Sequence, residues 1–252
     1  MTACTAIVQA RMGSTRLPGK VLKRLGDRSV LAHVITRLKT CQTLDTPIIA
    51  TTLDAADDAI RDEAERWGAR VFRGDALDVL ARYHGAAKIF GLEVVVRVTS
   101  DCPLIDPAMI DAMMDQFLAA LVSPHPLDYL SNSRIRRYPR GLDAEIFSFA
   151  ALDQAFLAAT EPYEHEHVTP YFYLHPELFA IGDFVAFEDH SALRWTLDTE
   201  EDLRLLEAIF ARLVPPGRSA PLATQEVLDL FAREPALAEI NAQVRQKGLN
   251  EG

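Results

Sequence analysis

Ile7–Lys20 reads IVQARMGSTRLPGK: a short apolar run that gives way to a loop dense in glycine, hydroxyl and basic side chains. Ala6–Gln9 has the composition of the core of a buried strand, and the loop sits at its carboxyl end. Working outward, Val30–Leu38 carries apolar residues at helical spacing, Pro47–Thr52 (PIIATT) reads as a second strand, and Asp57–Trp67 as an amphipathic helix. ARVF at Ala69–Phe72 is a third strand and Ala76–Phe90 a helix. EVVVRVTS at Glu93–Ser100 is a fourth strand, apolar enough to be covered on both faces. Asp106 and Pro107 have the character of an N-cap and first residue of a helix reaching Leu121.

This β-loop-α repetition predicts an α/β fold: a three-layer, Rossmann-like arrangement around a mainly parallel sheet with right-handed crossovers. Such sheets bind ligands beyond the carboxyl ends of their strands, where both the opening loop and TSDCP (Thr99–Pro103) fall. The stretch 123–188 is different in character, richer in Pro, Tyr and His. It has short strand candidates at Asp143–Phe149 and Leu178–Phe187 and a basic cluster of Arg134, Arg136, Arg137 and Arg140. It is expected to be a β-rich arm inserted in the second half of a single domain spanning 1–252. Leu193–Leu197 (LRWTL) is predicted as a strand ending at Asp198, with Trp195 in the core. Thr199 and Asp202 then match a capping box opening a helix with Leu203, Leu206, Phe210 and Leu213 on one face.

The 252 residues carry a formal net charge of −10, yet six basic residues stand against one acid up to Arg28, so that segment is +5 and the rest −15. With a pI of about 5.2, a surface for nucleic-acid polymers is not expected. A local positive pocket in an acidic protein suits a small anion such as a nucleotide. Cys4, Cys41 and Cys102 lack metal or redox spacing and read as reduced thiols of a cytoplasmic protein. No apolar stretch is long enough for a membrane span, and no signal peptide is expected.

Glycine lets the backbone approach phosphate oxygens, while Arg11, Arg16 and Lys20 offer charge and Ser14 and Thr15 donors. A charge run of this kind is more often plain solvated surface. Its place immediately after the first strand brings the anion site level with that reading. The loop is not a Walker A motif, because five residues separate Gly13 from Gly19 and Val21 follows Lys20. The dinucleotide pattern G-x-G-x-x-G is absent as well.

VQARMGSTRLPGKVL resembles the N-terminal signature of the cytidylyltransferases that activate acidic sugars as CMP conjugates, and within them the SpsF-like branch. The resemblance continues through GDALDVLARY (Gly74–Tyr83), VRVTSDCPLIDP (Val96–Pro107), YPRGLDAEIF (Tyr138–Phe147), EHVTPYF (Glu166–Phe172) and RWTLDTEEDL (Arg194–Leu203). It weakens after about Val214. It implies a Mg2+-dependent enzyme that couples CTP to an acidic sugar or related polyol and releases pyrophosphate, in surface polysaccharide or glycoconjugate precursor synthesis. Asp101 and Asp198 match the family's metal-binding aspartates; read alone, they could be an Asx-turn residue and a helix-end charge. SDCP leans toward the KDO-activating enzymes rather than the sialate-activating ones.

The same resemblance places Ala10, Arg11, Gly13, Ser14 and Lys20 around the triphosphate, with Lys20 and Arg11 neutralising the leaving group. Asp75, Arg97 and Thr99 are expected near the nucleotide, although Arg97 reads equally well as half of an internal salt bridge. Arg140, Glu145 and His167 are the acceptor candidates, a positive lining suiting a carboxylate or phosphate. EHEH (Glu164–His167) is not a zinc motif: on a helix, His165 and His167 diverge by about 200°. Family likeness also implies a homodimer through 123–188. Two competing readings remain at this point. One is a glycosyltransferase using a nucleotide sugar, disfavoured by the lack of an Asp-x-Asp motif; the other is a non-catalytic nucleotide-binding module, disfavoured by the intact basic and acidic set.

Overall fold

The apolar run ahead of the basic loop is strand β1 (Cys4–Gln9), five of whose six residues are buried. The computed structural model describes residues 3–249 except 216 and 219. After the loop come a two-stranded antiparallel hairpin, β2 (Arg24–Leu25) and β3 (Arg28–Ser29), and helix α1 (Val30–Leu38). The Ser29 hydroxyl accepts from the backbone N–H of Ala32 and caps α1. The predicted alternation then follows: β4 (Ile48–Thr52), α2 (Asp58–Arg66), β5 (Arg70–Gly74), α3 (Val79–Ile89), β6 (Val94–Thr99) and α4 (Pro107–Leu121). Asp106 caps α4 through the N–H of Ala108, with Pro107 in its first turn, as the sequence predicts.

Beyond α4 come β7 (Tyr129–Ser131), β8 (Glu145–Ser148), α5 (Phe149–Ala158), α6 (Pro162–His167), α7 (Pro170–Leu174) and β9 (Ile181–Asp183), then α8 (Glu200–Leu213) and α9 (Thr224–Arg233). Seven strands form one sheet in the order β5-β4-β1-β6-β8-β7-β9. The half from β5 to β6 is parallel; β8 runs antiparallel to both β6 and β7, and β9 is parallel to β7. The strands of 123–188 therefore extend the main sheet, with three helices beside them.

Alternation along β6 sends Val94, Val96 and Val98 into one apolar cluster with residues of α1, α4, α8 and α9. Val95 joins a second cluster with residues of α3, α5 and α7. Helices thus cover both faces of the sheet, which makes the expected three layers. With both faces occupied, the carboxyl ends of β1 and β6 are left to receive a ligand.

Leu193–Leu197 differs from expectation. It forms no ladder, only an isolated bridge between Arg140 and Arg194. Its backbone is shared between two loops: the N–H of Trp195 donates to the carbonyl of Arg140 (2.6 Å), and that of Leu197 to the carbonyl of Asp101 (2.9 Å). Trp195 is nonetheless fully buried, as its alternation predicts, and Leu197 is buried with it. The capping box at Thr199 and Asp202 forms as predicted.

Candidate active site

The basic loop owes its shape to its own backbone and to one buried acid. The carbonyl of Met12 accepts from the N–H groups of Ser14 and Gly19, folding the loop back on itself. Asp57, 2% exposed, accepts from the N–H of Met12 (2.7 Å) with one oxygen and from the Thr52 hydroxyl (2.5 Å) with the other, pinning the loop base to the end of β4. Gly19 turns the chain at φ 65°, a conformation glycine adopts without steric cost, and a short 3₁₀ turn begins at Lys20. That turn aims the lysine back across the sheet.

Lys20 lands between the two aspartates. Its ammonium lies 2.6 Å from Asp101 Oδ2 and 2.7 Å from Asp198 Oδ1, residues 81 and 178 positions away. The remaining carboxylate oxygens are held by the protein. The Thr99 hydroxyl donates to Asp101 Oδ1 at 2.6 Å; Arg194 and Arg16 take Asp198 Oδ2 at 2.8 and 3.0 Å. Arg194 is fixed in turn by Asp202, fully buried, which also accepts from the N–H groups of Asp198 and Thr199 and from the Asn241 amide. One oxygen of each aspartate is thereby locked, and the other is aimed at a shared point.

The charges respond to this arrangement. Burial opposes the Lys20 ammonium, but Asp101 and Asp198 outweigh it and raise its pKa. Burial likewise disfavours the Asp198 carboxylate, yet Lys20, Arg16 and Arg194 hold its pKa below the ordinary aspartate value. The Cys102 thiol, buried beside Asp101, is pushed well above its usual range by burial first and the aspartate second, so it is an inert neighbour.

Two cavities meet at this point. The smaller, about 300 Å3, is lined by Ala10, Arg11, Gly13, Ser14 and Lys20, all five expected around the triphosphate, and by Thr99. The larger, about 790 Å3, is lined by Arg97, Arg140 and Glu145 among others. Asp101, Asp198, Thr99 and His167 line both. Arg140 makes no side-chain hydrogen bond or ion pair with the described residues; burial and then Arg136 lower its pKa. Arg97 and Glu145 instead form an ion pair on adjacent strands β6 and β8, and Tyr129 donates to the same carboxylate. Asp75 lies outside both linings; its carboxylate accepts from the N–H groups of Leu77 and Asp78, an Asx turn ahead of α3.

His165 and His167 diverge as their spacing requires. His165 pairs with Asp78, while His167 Nε2 lies 3.1 Å from the carbonyl of Leu249. Sequence reasoning passed over several lining residues. Arg82, 2% exposed, bonds the carbonyls of Asp75 and Ala76 at the far end of the smaller cavity. Gln246–Gly248, near the C-terminus, line both cavities. Arg82 sits inside a helical pattern, where apolar periodicity is silent about polar neighbours. The 246–248 stretch carries no motif that ties it to a loop more than two hundred residues earlier.

No cluster of three or more His, Cys, Asp or Glu suited to a metal is found among the described residues. Two aspartate oxygens directed at one point, already compensated there by an ammonium, still fit a hard divalent cation that completes its shell with phosphate and water. Asp101 and Asp198 would hold it.

Paired carboxylates converging beside a basic, glycine-turned loop at strand carboxyl ends meet the demands of nucleotidyl transfer, and the chain is a nucleotidyltransferase. Residues 5–214 match the family described as cytidylyltransferase, and the chain belongs to that family. It is 32% identical over 239 residues to the spore coat polysaccharide biosynthesis protein SpsF of Bacillus subtilis, covering 92% of this chain and 95% of that one. The structure of a cytidylyltransferase from Leptospira borgpetersenii superposes with a TM-score of 0.89 at 32% identity, covering 98% and 100% of the two chains. CMP:2-keto-3-deoxy-manno-octonic acid synthetase, solved with CTP, shares the fold at TM-score 0.64 and 16% identity over 84% of this chain and 99% of that one. No helix among the described residues is long and apolar enough to cross a membrane.

Proposed function

We propose that this cytidylyltransferase transfers CMP from CTP to a hydroxyl of an acidic sugar or related polyol, with magnesium as cofactor and pyrophosphate as the second product. The observation that carries this reading is the junction at Lys20, where two directed aspartate oxygens face one point between a basic pocket and a larger cavity. The triphosphate enters the smaller cavity, against the loop N–H groups, Arg11 and Lys20. There Arg11 and Lys20 neutralise the charge that grows on the departing pyrophosphate. Magnesium, held by Asp101 and Asp198, would draw charge from the α-phosphate.

The acceptor occupies the larger cavity. Arg140, free of side-chain partners among the described residues, takes its carboxylate or phosphate, and His167 stands at the junction. Glu145 serves the acceptor indirectly, by holding Arg97 in the cavity wall. The polysaccharide role in the name of the Bacillus relative supports a place in surface-glycan precursor synthesis. The stretch 123–188 supplies the acceptor wall and, through the sheet edge at β9 and exposed Phe187, the contact of a cytoplasmic homodimer.

The test is pyrophosphate release from CTP with Mg2+ over a panel of acidic sugars and phosphorylated polyols. Release with at least one acceptor, and much less with UTP, is the expected result. Silence across the panel, or transfer from a nucleotide sugar without pyrophosphate, would overturn the reading.

A further inference from the structure

The family match ends at residue 214, yet the chain returns to the site from well beyond it. Asn241, 5% exposed, is anchored by its amide to the carbonyl of Arg194 and to Asp202, which fixes where the last residues depart. Arg194 Nη1 then donates to Gln246 Oε1 at 2.8 Å, from the same guanidinium that orients Asp198. Three residues further on, His167 Nε2 meets the carbonyl of Leu249. Pinned at both ends, the segment crosses the mouth where the two cavities join. Between the pins lies Lys247, exposed, lining both cavities and without a partner among the described residues.

We propose that the 245–249 segment is a working part of the active site and that Lys247 binds the phosphates of the nucleotide from the side opposite the opening loop. The inference rests on the transfer reading above and adds to it a residue outside the matched region. A triphosphate carries about four negative charges at neutral pH. The opening loop meets them from one wall, and a flexible ammonium at the junction meets them from the other. Among the described residues no carboxylate pairs with Lys247, so its attraction is left for the ligand. Its position at the junction sets it against the end of the triphosphate nearest the acceptor.

The test uses the full chain, its Lys247→Ala and Lys247→Arg variants, and a chain ended after Val244. CTP affinity is measured by calorimetry with Mg2+, alongside melting temperature and the rate of tryptic cleavage after Arg245 and Lys247. Expected are a roughly tenfold weaker CTP affinity in Lys247→Ala and in the shortened chain, and recovery to within about twofold in Lys247→Arg. An unchanged melting temperature in Lys247→Ala and slower cleavage of the wild-type tail when CTP is bound complete the pattern. A wild type that binds CTP while Lys247→Ala binds it equally well overturns this inference alone. A wild type that binds no CTP overturns the transfer reading, and this inference with it.

Discussion

At the scale of the residue, the site fixes one oxygen of each aspartate and turns the other toward Lys20. Asp101 gives one carboxylate oxygen to Thr99 and Asp198 gives one to Arg194 and Arg16, so neither side chain can rotate away from Lys20. Asp101→Asn keeps the shape and an acceptor for Thr99 but removes the charge at the shared point. Lys20 retains Asp198 as its partner, so stability is expected to change by no more than about 1 kcal/mol. Turnover should fall at least about 100-fold, since the carboxylate proposed to hold magnesium against the α-phosphate loses its charge. Pyrophosphate release and denaturant unfolding on the same preparation separate the two effects. A variant that turns over at the wild-type rate would remove Asp101 from the chemistry.

At the scale of the element, the stretch between Leu193 and Asp198 shows what periodicity can and cannot report. Alternation marked Trp195 as buried because side-chain burial has a period. It was silent on the backbone's partners, which are the loops at Arg140 and Asp101 rather than a strand. That arrangement brings Asp198 beside Asp101, so the missed detail is the one that builds the site. The strands β1, β4 and β6 were legible because they are apolar on both faces, and Asp106 and Thr199 because capping is local. Asp75 reads two ways for the same local reason: an acid before a helix satisfies backbone N–H groups, as it does here, as readily as it meets a nucleotide.

Gly141 is where the crossing of the two loops is tightest. Its φ is 105°, and an added Cβ would meet the backbone of Trp195 and Thr196 at 2.6 Å. Gly141→Ala should therefore cost about 3 kcal/mol or more and disturb the placement of Asp198 beside Asp101. A melting temperature unchanged from wild type would show that this crossing yields easily.

A second element-scale expectation concerns α1 and α8, which meet where the His33 ring packs at a tilt of 58° against Phe210, with centroids 4.5 Å apart. Burial lowers the His33 pKa to about 4; the Leu25 carbonyl and Asp27 pull it up, while Arg28 and Arg37 push it further down. The unfolded chain, with an ordinary value of 6.5, binds this proton first as pH falls. Stability is thus complete above pH 6.5 and declines from there toward pH 4, by about 2–3 kcal/mol at pH 4.5. Asp198 behaves in the same direction but lower: its depressed value means its contribution is lost only below the ordinary aspartate range of about 4. His33→Gln can still donate to Leu25 and should flatten the slope between pH 6.5 and 4.5 in urea unfolding. A slope equal to wild type would assign the acid sensitivity elsewhere.

At the scale of the whole molecule, the site is where distant parts of the chain are joined. The opening loop, the end of β6, the Arg194–Asp198 stretch and the C-terminal segment all line the junction, although the first and last are more than two hundred residues apart. A ligand that bridges them should stabilise the entire fold by mass action, about 2.7 kcal/mol at a hundred times its Kd. For a chain of this size that corresponds to a rise of roughly 5–10 °C in melting temperature. The charges add a condition. In the free protein, Lys20 bridges Asp101 and Asp198, so a triphosphate drawing the lysine away leaves one oxygen of each carboxylate facing phosphate oxygens. CTP alone should therefore raise the melting temperature little, Mg2+ alone little, and the two together by the full amount. Asp101→Asn should make the response to CTP less dependent on Mg2+, because one of the carboxylates left exposed is gone. The measurement is a melting curve at fixed CTP across a Mg2+ titration. Full stabilisation by CTP in the presence of a chelator would mean that Lys20 keeps its aspartates and that the phosphates find their positive charge elsewhere on the loop.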